Sequence, residues 1–189
     1  MTISINELET GIGLMMDGEI YLVLDYNHVK PGKGSAFARV RIKNLKTDLV
    51  LERTFRSSEK LEDVPLEEKK IQFLYRAGDT LHFMDHETYE EMTLPESVIG
   101  KDSMRFLKEN LEVEALAHNH RILKVTLPNF IVFNILESEP GIKGDSSRSG
   151  TKPATIDTGA VVQVPLFINK GDNIKIDTRS GTYVERAQK

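Results

Sequence analysis

Cysteine is absent from the 189 residues, which excludes a disulfide framework and a thiolate metal site and points to a reducing compartment. Aromatic residues are only 7% of the chain, sparse for a general single-strand RNA-binding protein built on stacking platforms, which stays an alternative that RNA affinity of the isolated protein with a steep salt slope would reveal. No apolar run is long enough to span a bilayer, and Met1-Thr-Ile-Ser-Ile-Asn-Glu-Leu-Glu9 has neither a basic start nor an apolar stretch of the signal-peptide kind. The expectation is a soluble cytoplasmic protein with no membrane partner. Catalytic constellations are also missing. His82 and His86 stand four residues apart on extended chain, about 13 Å, too far to share one ion. His118 and His120 lie in a turn beside Arg121 without a further ligand type nearby. The pairs Glu67-Glu68 and Glu90-Glu91 are adjacent on strands and point to opposite faces, so they do not form an acid/base couple. The chain is expected to be no enzyme and to carry no metal and no cofactor.

What is present is charge, unevenly placed. The net charge of −4 argues against a general polyanion binder. From Asn27 to Lys60, however, nine cations face three anions, whereas from Val64 to Thr126 eight cations face twelve anions. The first segment is a candidate polyanion face and the second is not, although charge scattered over alternating strands also serves simply as solvated surface.

Within that basic segment, Val29-Lys30-Pro31-Gly32-Lys33-Gly34-Ser35-Ala36 separates two alternating runs, Tyr21 to Tyr26 and Ala36 to Ile42. This reads as a hairpin tip with Lys33 at its apex. Pro31 presets φ for the first central position of a turn, and Gly32 is expected to supply the positive φ that follows. Gly34 leaves room for a close approach by another molecule. An ordinary solvent-exposed tip has the same local spacing. A nucleotide-binding P-loop does not: it needs glycine where Asn27 stands and Ser or Thr where Gly34 stands, and no helix pattern follows. Period two places Arg39, Arg41 and Lys43 on one face, with Phe37, Val40 and Ile42 among residues suited to the other.

Along the chain the pattern is all-β, three small β-barrels in tandem: residues 1–63, 64–127 and 128–189. In the first, Ile20 to Leu24, Ala36 to Ile42 and Leu49 to Phe55 read as strands, and Asp17-Gly18 as a turn. Leu61 to Glu68, acidic and broken by Pro65, reads as a boundary without a strand. The second barrel takes Lys70–Arg76 and Thr80–Asp85 as a hairpin, Glu87 to Thr93 as a strand, and one helix on Met104, Leu107 and Leu111. Strands 111–117 and 122–127 complete a Greek-key barrel of the oligonucleotide-binding (OB) type. The third opens with Asn129 to Leu136. It continues through the turn-rich loop Glu139 to Pro153 and three strands between Thr155 and Tyr183, a unit of similar length and type. The loop is either plainly flexible or carries Arg148 and Lys152 among small residues able to approach a ribose-phosphate backbone.

The tip Lys30-Pro31-Gly32-Lys33-Gly34, with Ala36-Phe37 and the basic strand behind it, resembles that of the bacterial translation elongation factor P family. The resemblance runs from about Leu8 to Val184. It is most specific in Lys152-Pro-Ala154-Thr-Ile-Asp-Thr-Gly159-Ala-Val-Val162-Gln-Val164-Pro165-Leu-Phe167-Ile-Asn-Lys-Gly171-Asp172-Asn-Ile174-Lys175-Ile176-Asp177-Thr178-Arg-Ser-Gly181-Thr-Tyr183.

The resemblance implies an SH3-like, KOW-type first barrel followed by two OB-fold barrels in an elongated, L-shaped, tRNA-like outline. It implies a monomer that binds the 70S ribosome, its rRNA and the P-site peptidyl-tRNA, and relieves stalling at consecutive prolines by positioning the CCA end. Lys33 then matches a lysine that a dedicated enzyme modifies in many bacteria. Lys30, Arg39, Arg41, Arg148 and Lys152 would face tRNA or rRNA. Gly144-Asp145-Ser146 matches the loop near the exit-site codon, with Ser146 where many members carry Thr. A specialised paralogue within the family is the nearest alternative. The hypusine-bearing archaeal and eukaryotic relatives lack the third barrel that residues 128–189 supply.

Overall fold

The computed structural model describes residues 2–32, 34–139 and 150–187. Its strands form three antiparallel sheets. The first contains β1 (Thr2–Ile3), β2 (Gly13–Met16), β3 (Glu19–Val29), β4 (Phe37–Asn44), β5 (Val50–Arg56) and β6 (Leu61–Val64), in the order β1-β6-β2-β3-β4-β5. Asp17 and Gly18, at φ 52° and 78°, make the two-residue turn between β2 and β3. On β4 the inward positions Ala38, Val40 and Ile42 are fully buried and meet Ile5, Leu8, Leu14, Val23, Phe55 and Leu61 in one core. β3 bulges between Val23 and Asp25. The extra residue turns Asp25 outward opposite Arg41 and places Tyr26 opposite buried Val40; unbroken alternation would have driven the carboxylate into the core.

The second sheet has β7 (Glu67–Ala77), β8 (Thr80–Asp85), β9 (Glu91–Pro95), β10 (Glu112–His118) and β11 (Arg121–Thr126), ordered β11-β10-β7-β8-β9. The third has β12 (Phe130–Ser138), β13 (Thr151–Ile156), β14 (Val161–Pro165), β15 (Asn173–Asp177) and β16 (Thr182–Ala187), ordered β14-β13-β12-β15-β16. Numbered within each sheet, both read 3-2-1-4-5, so the two share one topology, and β14 curls round to β16. That strand order is the OB-fold arrangement. By compactness the chain forms two units, residues 1–69 with 115–124, and residues 70–114 with 125–189.

Four details differ from the pattern read in the sequence. Leu61–Val64 is a strand: Leu61 and Val64 are buried, and the segment pairs with both β1 and β2. The expected strand from Glu87 begins only at Glu91, because the Asp85 carboxylate accepts the backbone N–H groups of Glu87 and Thr88 (2.8 and 3.3 Å) and bends the chain. Tyr89, at φ 58°, completes that turn.

The expected helix is a single turn, α1 (Lys101–Met104). Phe106 takes the buried position after it, and Asn110 and Leu111 bond the main chain of Phe73, which commits the segment to extended structure. Four strands, not three, follow the long loop of the third sheet, since Gly159 at φ 85° makes a turn between β13 and β14.

Candidate nucleic-acid interface

The β3–β4 ladder ends at the pair Val29↔Phe37, and residues 30–32 and 34–36 stand beyond it at the tip. Lys30, Pro31, Gly32, Gly34 and Ser35 are exposed; Lys33 lies outside the described residues. The base of the tip is tied by the Ser57 N–H, which donates to the Ala36 carbonyl at 2.9 Å. Gly34 holds the left-handed conformation, φ 108°, while Gly32 does not. The positive φ expected at Gly32 therefore belongs to the glycine after the lysine. Any side chain at position 34 would be strained by its backbone alone.

Behind the tip, the outward face of β4 carries Phe37, Arg39, Arg41 and Lys43 in succession. Phe37 was expected inward with Val40 and Ile42; odd and even positions separate on a strand, and Ala38 takes the core place instead. The Arg39 guanidinium lies 5.9 Å from the Phe37 ring centre. Across the sheet, Phe37 pairs with Arg56 and Arg39 with Thr54 on β5. Ser35, Phe37, Arg39, Thr54 and Arg56 line an open-sided cleft of about 450 Å³. Arg56 and Thr54 were not singled out in the sequence, where only the count of cations pointed to this strand.

The cations of this sheet divide by whether the fold supplies them a carboxylate. Lys43 and Lys46, near the β4–β5 turn, and Arg53, farther along β5 opposite Val40, each have a carboxylate of their own: Asp48 at 2.8 Å, Glu19 at 3.6 Å and Asp17 at 3.9 Å. Lys30, Arg39, Arg41 and Arg56, toward the tip, have no ion-pair partner among the described residues. The Glu59 carboxylate accepts the Arg56 main-chain N–H at 3.1 Å. Unpaired guanidiniums in a row are available for an external polyanion such as RNA phosphate.

Elsewhere the predicted sites separate. Gly144, Asp145, Ser146 and Arg148 lie outside the described residues. Lys152 is not on a loop: it is an inward position of β13, 6% exposed, and its ammonium donates to the Glu139 carbonyl at 2.7 Å. The expectation that it faces RNA is corrected, because alternation with buried Ala154 and Ile156 turns it inward. His82 stacks on Tyr75 at 4.3 Å, and its Nδ1 lies 2.7 Å from Glu91. The Tyr75 hydroxyl donates to the same carboxylate at 3.0 Å. Both neighbours hold the Glu91 carboxyl below its ordinary pKa, His82 more than Tyr75.

A KOW-like sheet bearing a basic hairpin, followed by two sheets of OB topology, places the chain among the tandem-barrel translation factors. Three family models match in succession: the elongation factor P KOW-like domain over residues 4–61, its OB domain over 66–125, and its C-terminal domain over 124–186. The elongation factor P of Moorella thermoacetica is 46% identical over 185 residues, covering 98% of this chain and all of that protein. That of Pelotomaculum thermopropionicum is 44% identical over 184 residues, 97% and 99% of the two chains. The chain belongs to the elongation factor P family. Among solved structures, a translation initiation factor 5A family protein from Naegleria fowleri aligns over 67% of this chain and 98% of its own, with TM-score 0.50 and 15% identity, a likeness of fold.

Proposed function

We propose that the protein is a cytoplasmic, non-enzymatic, monomeric elongation factor that binds the ribosome beside the P-site tRNA and stimulates peptide-bond formation at consecutive prolines. The observation that carries this reading is the row of unpaired cations, Lys30, Arg39, Arg41 and Arg56, leading to an exposed tip in a chain of this family. Proline's fixed φ and tertiary amide leave the peptidyl-prolyl ester poorly aligned for attack. Orientation of reacting groups is worth several kcal/mol of barrier, so a factor that steadies the CCA end accelerates the ribosome's own chemistry. Lys33 suits this role through its flexible stem and compact charge, and an enzyme-added group would extend its reach. Pro31, Gly32 and Gly34 shape the loop that presents it.

In this reading residues 1–63, 64–127 and 128–189 act as three modules. Lys30, Arg39 and Arg41 contact tRNA phosphate, Gly144-Asp145-Ser146 lies by the exit-site codon, and Arg148 faces RNA. The test is translation of a reporter carrying a Pro-Pro-Pro stretch in cells that lack the factor. Wild type restores synthesis, and Lys33→Ala folds normally without restoring it; normal rescue by Lys33→Ala overturns the reading. Intact-mass spectrometry of protein from its native host reads the modification directly.

A further inference from the structure

The open cleft beside the tip has a chemistry of its own. Two guanidiniums, two hydroxyls and one aromatic ring converge there: Arg39 and Arg56, Ser35 and Thr54, and Phe37. Arg39 lies directly across from Thr54, so Arg56 is its diagonal neighbour on the same face. Diagonal positions in an antiparallel pair put Cβ atoms about 7–8 Å apart, a span from which two long arginine side chains can close on one group between them. Neither guanidinium is consumed by a carboxylate among the described residues, and the cleft contains no acidic side chain. Its volume of about 450 Å³ lies within the usual range for small-ligand sites.

We propose that this cleft holds one nucleotide of single-stranded RNA, its phosphate clasped between Arg39 and Arg56 and its base laid on the Phe37 ring, with Ser35 and Thr54 bonding the ribose. Two forks of N–H donors match a phosphate's oxygens. An aromatic platform demands an unpaired base, which a duplex does not offer. The lining provides no arrangement of donors and acceptors that tells one base from another, so recognition is independent of sequence. The cleft would thereby fix the strand's register at the root of the hairpin, leaving the tip to reach the nucleotides beyond it. This rests on the proposed action at a tRNA end and names the subsite that grips the single strand.

The test is a titration of the full-length protein, followed by backbone NMR, with tetracytidylate RNA and separately with a blunt RNA duplex. Tetracytidylate is expected to shift the amides of Ser35, Phe37, Thr54 and Arg56. Arg39→Gln and Arg56→Gln are each expected to weaken binding at least about fivefold and to lower the salt slope by about 0.7. Phe37→Leu is expected to weaken tetracytidylate about threefold and leave any duplex binding unchanged. Lys46→Gln, a paired cation at the other end of the strand, serves as the control.

Shifts confined to other residues, or an Arg56→Gln protein that binds like Lys46→Gln, overturn the site. Equal binding of duplex with no effect of Phe37→Leu overturns the single-strand assignment. The reporter separates this from the wider reading. If Lys33→Ala abolishes rescue while the cleft variants bind normally, the cleft proposal alone is lost; if Lys33→Ala rescues, the proposed function is lost whatever the titration shows.

Discussion

Strand β4 carries cations at both ends, and the two ends use them in opposite ways. At the turn end, Asn44 is buried and its side-chain oxygen accepts the N–H groups of Lys46 and Thr47 (2.9 and 3.0 Å), which bends the chain toward Asp48 at φ 61°. Asp48 then takes two ammonium groups, Lys43 at 2.8 Å and Lys124 of β11, both within the first compact unit. At the tip end, Arg39 and Arg41 stand opposite Thr54 and Glu52 in register yet form no ion pair among the described residues. A cation whose charge is answered inside the fold stabilises it modestly, whereas one left unanswered keeps its full attraction for a partner outside. Residue type alone does not tell the two apart, and neither does register, since Arg41 has Asp25 and Glu52 opposite it without an ion pair among the described residues; whether a carboxylate closes on the cation does.

The largest expected effect tests what both ends depend on. Ile42 is fully buried in the core between them, so Ile42→Ala should cost about 2–4 kcal/mol, read by chemical denaturation, and degrade turn and tip together. Next comes the tip alone. Arg39→Gln combined with Arg41→Gln should lower rescue of the polyproline reporter about tenfold while leaving stability within about 0.5 kcal/mol of wild type. If stability falls as far as rescue does, the tip-end cations are structural and the contrast between the two ends fails.

Part of this division was legible in the sequence. The alternation from Ala36 to Ile42 specified β4, and Asp17-Gly18 specified the turn between β2 and β3, because each is a local signal that the backbone obeys without help from distant residues. The resemblance located the family. What escaped depends on partners far along the chain. Lys43 is paired because of Asp48, held by a loop that Asn44 builds, whereas Arg41 forms no ion pair among the described residues although Asp25 and Glu52 stand opposite it in register.

Lys152 looked like a loop cation because Gly150 and Pro153 flank it, yet pairing of β13 with β14 makes it an inward strand residue. Leu61–Val64 looked like a linker for the reverse reason: acidic Glu62 and Asp63 stand at its middle, while pairing with β1 and β2 buries its two ends. The helix on Met104 and Leu107 was overridden by bonds from Asn110 and Leu111 to Phe73, nearly forty residues earlier. Lys33 and the Gly144–Ser146 segment lie outside the described residues, so their placement rests on the sequence resemblance.

The turn end yields the smaller effects, and pH sharpens them. Burial works against ionisation of Asp48, but hydrogen bonds and charge from Lys124 and Lys43 outweigh it, so its carboxyl titrates below the ordinary value. A depressed carboxyl stabilises the fold only while ionised. Its contribution is complete above the unfolded-state value of about 3.9 and disappears as pH falls through the lower folded-state value. Asp48→Asn should therefore cost about 0.5–1 kcal/mol at pH 7, because it leaves the Lys124 side chain, only 14% exposed, without its carboxylate.

Melting curves of the two proteins should converge as pH drops below about 4, where wild type loses the same interaction. Lys46→Ala should do less still, under about 0.5 kcal/mol, since that side chain is 81% exposed and 3.6 Å from Glu19. A gap between wild type and Asp48→Asn that persists unchanged into acid would mean that the side chain matters otherwise than through its charge, since asparagine takes the φ-positive turn position as readily, and the turn end would then no longer be the place where this sheet consumes its cations.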